Sequence, residues 1–337
     1  MSEAVAATAP PGVVAPLNPD RPTVIPVLGA GRSGTSAITR GLAALGVDLG
    51  DRLRRPGGKN PTGFFEDRDV LSISKQLKRA LGIRGHSVRL LDDTVFETPR
   101  LRHIQTRAIE TLGRRFGDTP LWGYKYSRTL RTMPFWQGIH EALDLDVRYV
   151  IALRNPLSVA RSRGQINPQR GRQVWSDMEW LVNVVPYFHR TAGCPRVVVD
   201  FDRLMRDPQG QLARVARDLG LPLGKAEQSG IHEYATRFLK QDKPRTRFTR
   251  ADLLADPLAN RWTAEGYGLL DEVAADELAL DSPEFVERWG AIEQAVTDLA
   301  PFLAEFDHLR GQLVQARWNP TSPLQEARQV WRDLKAK

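Results

Sequence analysis

The stretch Thr23-Val-Ile-Pro-Val-Leu-Gly-Ala-Gly-Arg-Ser-Gly-Thr-Ser36 decides the reading of the whole chain. Its first six residues form a short apolar run closed by glycine, which predicts a buried strand over 23–28. Pro26 removes one ladder donor, so the run should hold only if that residue lies near the strand's start or on a free edge. After Gly34, Ile38, Leu42 and Leu45 recur at helical spacing, and Gly46 closes the pattern. Between strand and helix the glycines let the backbone turn tightly with its N–H groups exposed. The helix N-terminus adds a positive partial charge, so Gly31, Arg32, Ser33, Gly34, Thr35 and Ser36 form an anion cradle. This is not a Walker A loop, which requires Lys after its last glycine. Here Thr35 follows Gly34 directly, and the cation Arg32 comes two residues before that glycine. A dinucleotide fingerprint fits no better, because no acidic residue ends a strand about 20 residues later.

Working outward, apolar runs predict further strands at 121–126, 146–153 and 196–201. Helical patterns fall near 100–116, 134–143, 156–163, 172–191 and 208–219. Such alternation predicts an α/β fold with a central parallel β-sheet and helices on both faces. Residues 1–22, rich in Ala, Pro and Val with almost no charge, read as a disordered leader. Residues 23–282 form the main domain. Residues 283–337 read as a helical C-terminal extension, interrupted at Pro301 and at Asn319-Pro-Thr-Ser-Pro323.

The 337 residues are 41% hydrophobic and 26% charged, enough for a substantial core. Lys and Arg exceed Asp and Glu by 48 to 40, a formal charge of +8 that favours anionic partners. The single cysteine, Cys194, excludes a disulfide framework or a cysteine-based zinc site. The six histidines show no metal-ligand spacing. No apolar run approaches 18 residues, so no membrane span is expected. Glu3 and the early prolines argue against a secretory signal, and a cytoplasmic protein is the expectation. The Trp and Leu series, Trp175, Trp180 and Trp289 among them, reads as core.

A second block completes the pattern. The 146–153 strand runs into Arg154-Asn-Pro-Leu-Ser-Val-Ala-Arg-Ser162, where Asn155 is suited to cap a helix and Pro156 to start it. Strand, Arg-Ser-Gly-Thr-Ser and helix closely resemble the 5′-phosphosulfate loop of sulfotransferases that use PAPS (3′-phosphoadenosine 5′-phosphosulfate). The second block resembles that family's 3′-phosphate motif, which implies that Arg154 and Ser162 grip the 3′-phosphate. Asn60-Pro-Thr-Gly-Phe-Phe-Glu66 is similar to a segment of bacterial and carbohydrate sulfotransferases, and this implies Glu66 as general base. Trp122-Gly-Tyr-Lys-Tyr-Ser-Arg128 stands where many bacterial members carry Lys-Asp-Pro-Arg. Lys125 and Arg128 match, while Tyr126 and Ser127 depart.

The resemblance covers residues 23 to about 225. It implies a P-loop-like fold and sulfuryl transfer from PAPS to a hydroxyl, or an amine, leaving PAP and requiring no metal. Arg32, Lys125 and Glu66 would be catalytic. The acceptor, a small molecule or a glycan, stays open among carbohydrate, lipid, antibiotic scaffold and tyrosine, and the basic balance only points towards an anionic glycan. A homo-oligomer is open too. One alternative is a small-molecule kinase, since Val197-Val-Val-Asp200 looks superficially like a Walker B strand. Another is an inactive relative that binds nucleotide or glycan. Nucleic acid ranks last, because aromatics do not interleave the basic runs.

Overall fold

The computed structural model describes residues 14–57, 63–83, 87–239 and 248–318, with side chains to 313. Asn60, Pro61 and Thr62, the stretch Lys240-Gln-Asp-Lys-Pro-Arg-Thr-Arg247, which reads as a basic loop, and the interruption at 319–323 lie outside the described residues.

Five parallel strands form one sheet: β1 (Thr23–Leu28), β2 (Leu121–Lys125), β3 (Asp146–Val147), β4 (Tyr149–Leu153) and β5 (Arg196–Asp200). Their order is β2-β1-β4-β5, with β3 also on β1. The chain leaves β1 towards β2 and then crosses to the other side for β4. The carboxyl end of β1 is therefore the point where the strand order reverses, the usual place for a ligand crevice in an open α/β sheet. The predicted parallel sheet is borne out.

Pro26 corrects the sequence expectation. It sits inside the central strand β1, not at a start or free edge, in register with Tyr124 on the β2 side. On the opposite side the ladder is interrupted. Arg148 donates its N–H to the Val24 carbonyl at 3.0 Å, so the next donor in phase would be residue 26, which has none. The predicted single strand 146–153 is accordingly split at Arg148 into β3 and β4.

Both faces of the sheet are covered, following the period-two alternation of side chains. Ile25, Val27, Val150, Ala152, Val197 and Val199 pack beneath helix α1 (Thr35–Ala44) and its neighbours Leu212, Val215 and Tyr234. Val24, Leu28, Ile151 and Val198 face the other way, into the larger cluster. That cluster holds helices α2 (Arg68–Ala80), α3 (Pro99–Phe116) and α4 (Met133–Ala142). Beyond β4 come α5 (Pro156–Gly164) and α6 (Gln173–Val184), then α7 (Phe201–Arg206) and α8 (Pro208–Asp218) after β5. The last helices include Arg261–Ala274, Pro283–Thr297 and Ala300–Trp318. Trp289 of the second packs 4.5 Å from the Phe188 ring, so residues from 283 onward add to the core. Residues 14–22 also lie against the body: Arg148 donates to the Ala15 and Pro16 carbonyls at 2.8 and 3.0 Å, and Leu17 packs on the smaller cluster. Trp180 and Trp289 are buried, whereas Trp175 is half-buried and spends its indole N–H on Glu179 at 2.9 Å.

Candidate active site

The site is built where β1 ends. Gly34 has φ 80°, and an added Cβ would run into the Phe201 ring, so glycine is required there by both backbone and space. The Ser33 N–H donates to the Ala30 carbonyl at 3.2 Å, which closes the turn. Helix α1 then starts at Thr35 with no acidic residue in its first turn and no side-chain cap. The positive end of its dipole lies at the loop. The Ser33 hydroxyl is fully buried and has no hydrogen-bond partner among the described residues.

Two blocks separated by 130 residues meet on this loop. Arg32 donates from Nε to the Ser162 hydroxyl at 3.0 Å, and its carbonyl accepts from Arg154 Nη1 at 3.3 Å. The Arg154 guanidinium also lies over the Phe201 ring, 4.7 Å from its centre. Asn155 caps α5 by accepting the Leu157 N–H at 3.0 Å, as its position before proline predicted. Its amide reaches further, to the Phe248 and Thr249 carbonyls at 3.1 and 3.0 Å, which fixes the strand-to-helix junction.

A second group meets the loop from the other side. The Lys125 ammonium, at the end of β2, is 3.1 Å from Glu66 Oε1 and donates to the Phe64 carbonyl at 2.8 Å and the Ser36 hydroxyl at 3.2 Å. Burial lowers the Lys125 pKa, opposed by the Glu66 carboxylate and assisted by the charges of Arg54 and Arg32. Burial lowers Arg32 as well. Glu66 follows two left-handed residues, Gly63 at φ 109° and Phe65 at φ 50°, and its second oxygen pairs with Arg54 at 2.9 Å. Asp67 and Asp69, the next carboxylates in the sequence, are spent structurally: Asp67 caps α2, and both pair with Arg115 at 2.7 Å.

The structure thus gathers Arg32, Ser36, Lys125, Glu66, Arg154 and Ser162 around the loop that follows β1. It adds residues that sequence patterns did not single out. Arg163 is buried, donates to the Gly31 carbonyl at 3.2 Å and to the Ser176 carbonyl and hydroxyl, and is pulled down to about 10 chiefly by burial. Arg170 holds Glu179 through two bonds of 2.8 and 2.6 Å. Asp200, the Walker-B-like residue, caps α7 through the Arg203 N–H at 2.8 Å, and burial pushes it up to about 6.

The fold is a parallel α/β sheet with a glycine-turned, cation-bearing loop at the point where its strand order reverses. No family model matches the chain, and no curated protein matches it. Among solved structures it is similar to the sulfotransferase domain of the Synechococcus PCC 7002 olefin synthase, at 14% identity and a TM-score of 0.40 over 82% of this chain and 95% of that one. It is likewise similar to sulfotransferase STF9 from Mycobacterium avium, at 16% identity and a TM-score of 0.40 over 87% and 78%. Retinol dehydratase in complex with androsterone and inactive cofactor PAP matches at 15% identity and a TM-score of 0.32 over 85% and 81%. Likeness at this level carries no residue roles, which rest on the chain's own geometry.

Proposed function

We propose that the protein transfers a sulfuryl group from PAPS to a hydroxyl of its acceptor. The observation that carries this reading is the meeting of Arg32, Ser162 and Arg154 on one loop, with Arg32 Nε 3.0 Å from the Ser162 hydroxyl. The residues fit such a donor: side chains around the loop include donors and cations, and the Glu66 carboxylate there is neutralised by Lys125 and Arg54. Gly31 to Ser36 and Lys125 would hold the phosphosulfate end, and Arg154 with Ser162 the 3′-phosphate. When bound, PAPS supplies an electrophilic sulfuryl group. Glu66 takes the acceptor proton on a carboxylate oxygen. Arg32 and Lys125 neutralise charge that grows on the departing phosphate, and near-complete burial of Lys125 strengthens that effect.

Calorimetry with PAP and AMP tests this reading. PAP should bind at least tenfold tighter than AMP. Arg154→Ala should erase most of the difference, since losing charge-assisted bonds costs on the order of 1.5–3 kcal/mol each. Equal affinities for PAP and AMP would overturn it. Turnover with labelled PAPS is expected to survive excess EDTA, whereas a kinase would need Mg²⁺ and ATP.

A further inference from the structure

We infer that the acceptor is a small, one-ring hydroxy compound carrying an anionic group, held in a cleft between the end of β2 and the turn after α5. The inference rests on the sulfuryl-transfer reading and specifies its substrate class. The cleft, ≈ 330 Å³, is lined by Arg32, Arg128, Arg163 and Arg170 together with Tyr126 and Asn167. No acidic residue is among its described lining residues. The volume lies at the low end for ligand pockets, which suits one ring with its substituents.

Four guanidiniums around so small a space make a strongly positive wall. The nearest compensation is Glu179, set behind the wall, which engages Arg170 at 2.6 Å and Arg163 at 3.6 Å. Burial lowers Arg128 and Arg163, and the charge of Arg170 lowers both further. The Nε of Arg163 is buried and has no hydrogen-bond partner among the described residues. A carboxylate, phosphate or sulfate entering the cleft would set negative charge against this wall and accept planar, two-pronged bonds. Arg32 belongs both to this cleft and to the loop, and Ser127 faces Gly31 closely enough that a Cβ there would lie 3.9 Å away. An anion anchored in the cleft therefore leaves its hydroxyl next to the donor loop.

The test uses the full chain saturated with PAP, so that the loop's own anion site is filled. The probes are 4-hydroxybenzoate and its methyl ester, which share ring and hydroxyl but differ in charge, titrated by calorimetry. The acid should bind one to one, at least tenfold tighter than the ester, and more weakly as salt rises. Asn167→Asp places a negative charge in the cleft yet keeps the cap, because Asn167 Oδ1 accepts the Arg170 N–H at 3.2 Å and an aspartate does the same. That variant and Arg170→Gln should each weaken the acid at least tenfold while shifting PAP affinity less than threefold. The unchanged melting temperature of Asn167→Asp checks folding. Equal binding of acid and ester, no saturable binding of the acid, or no effect of Asn167→Asp would overturn the inference. If PAP itself fails to bind, the transferase reading falls alone, and the same two variants judge the anion cleft without PAP.

Discussion

Arg32 adopts φ 79°, a left-handed conformation that costs a non-glycine residue on the order of 1–3 kcal/mol. Arg154 on its carbonyl and Ser162 on its guanidinium hold it there, so the strain sits where the cation is wanted. Glu66 is placed by similar means, through left-handed Phe65 and the pairing with Lys125. Glu66→Gln keeps the shape, loses the base, and frees Lys125 from its ion pair. Turnover of an acceptor should fall by roughly 10²–10⁴-fold, with PAP affinity within about threefold, measured by initial rates and calorimetry. Normal turnover would move the base elsewhere. Asp67 and Asp69 would be poor replacements, since Arg115 already holds them. The glycine loop stood out in the sequence by its place between strand and helix, and Arg154 and Ser162 by the resemblance of their block to a known motif; the structure sets both against that loop. Arg54, Arg163 and Arg170 did not stand out, because an arginine's role depends on which carboxylate or carbonyl the fold delivers to it. Arg163 stands beside Ser162 on α5, but nothing in that spacing says that it reaches Gly31.

At the scale of elements, the junction between β4 and α5 depends on a single buried amide. Asn155→Ala removes the helix cap and leaves the Phe248 and Thr249 carbonyls without their donor. The cost should be about 1–3 kcal/mol, seen as a lower melting temperature. PAP affinity should weaken as well, although Asn155 belongs to neither phosphate group, because Arg154 and Ser162 flank the moved junction. Asn155→Asp should recover the cap but not the two carbonyl bonds, and so fall between the two. A variant that melts normally would mean that the junction is held by β4 alone. Elements with strong periodicity were legible: α3, α4, α5 and α8 begin and end within a residue of the expected bounds. The predicted helix 172–191 ends early, at Val184, and the chain tightens into a 3₁₀ helix over Val185–Thr191, where Pro186 cannot donate. Helix α2 went unread. Its mixed sequence is organised by the Asp67 cap and by burial of Val70, Ile73 and Leu77, and tertiary packing supplies that face.

Across the whole molecule, two buried carboxylates oppose stability at neutral pH. Burial raises Asp200 and Asp177 to about 6, above their ordinary range. Protons are thus bound more tightly in the folded state. The stabilisation is fully present below about pH 4 and is lost as the pH rises through 6. Asp200→Asn retains an acceptor for the Arg203 N–H and needs no charge. It should raise the melting temperature at pH 7.5 and lose that advantage at pH 4, while an equal gain at both values would assign the effect to packing. The sheet order carries a consequence for synthesis. Strand β1, buried at every position, has no partner until β2 follows about 100 residues later, which at roughly 5–20 residues per second leaves it bare for on the order of 5–20 s. An apolar, uncharged hexapeptide exposed for that long is a template for aggregation between chains. Pro26, which interrupts the ladder to β3 and β4, also denies a neighbouring chain one of the donors it would need, and so acts as a gatekeeper. Pro26→Val should restore a bond to the Arg148 carbonyl and yet lower the yield of soluble protein on rapid refolding at micromolar concentration. The break in the central strand would then be the feature that lets this chain reach its fold at all.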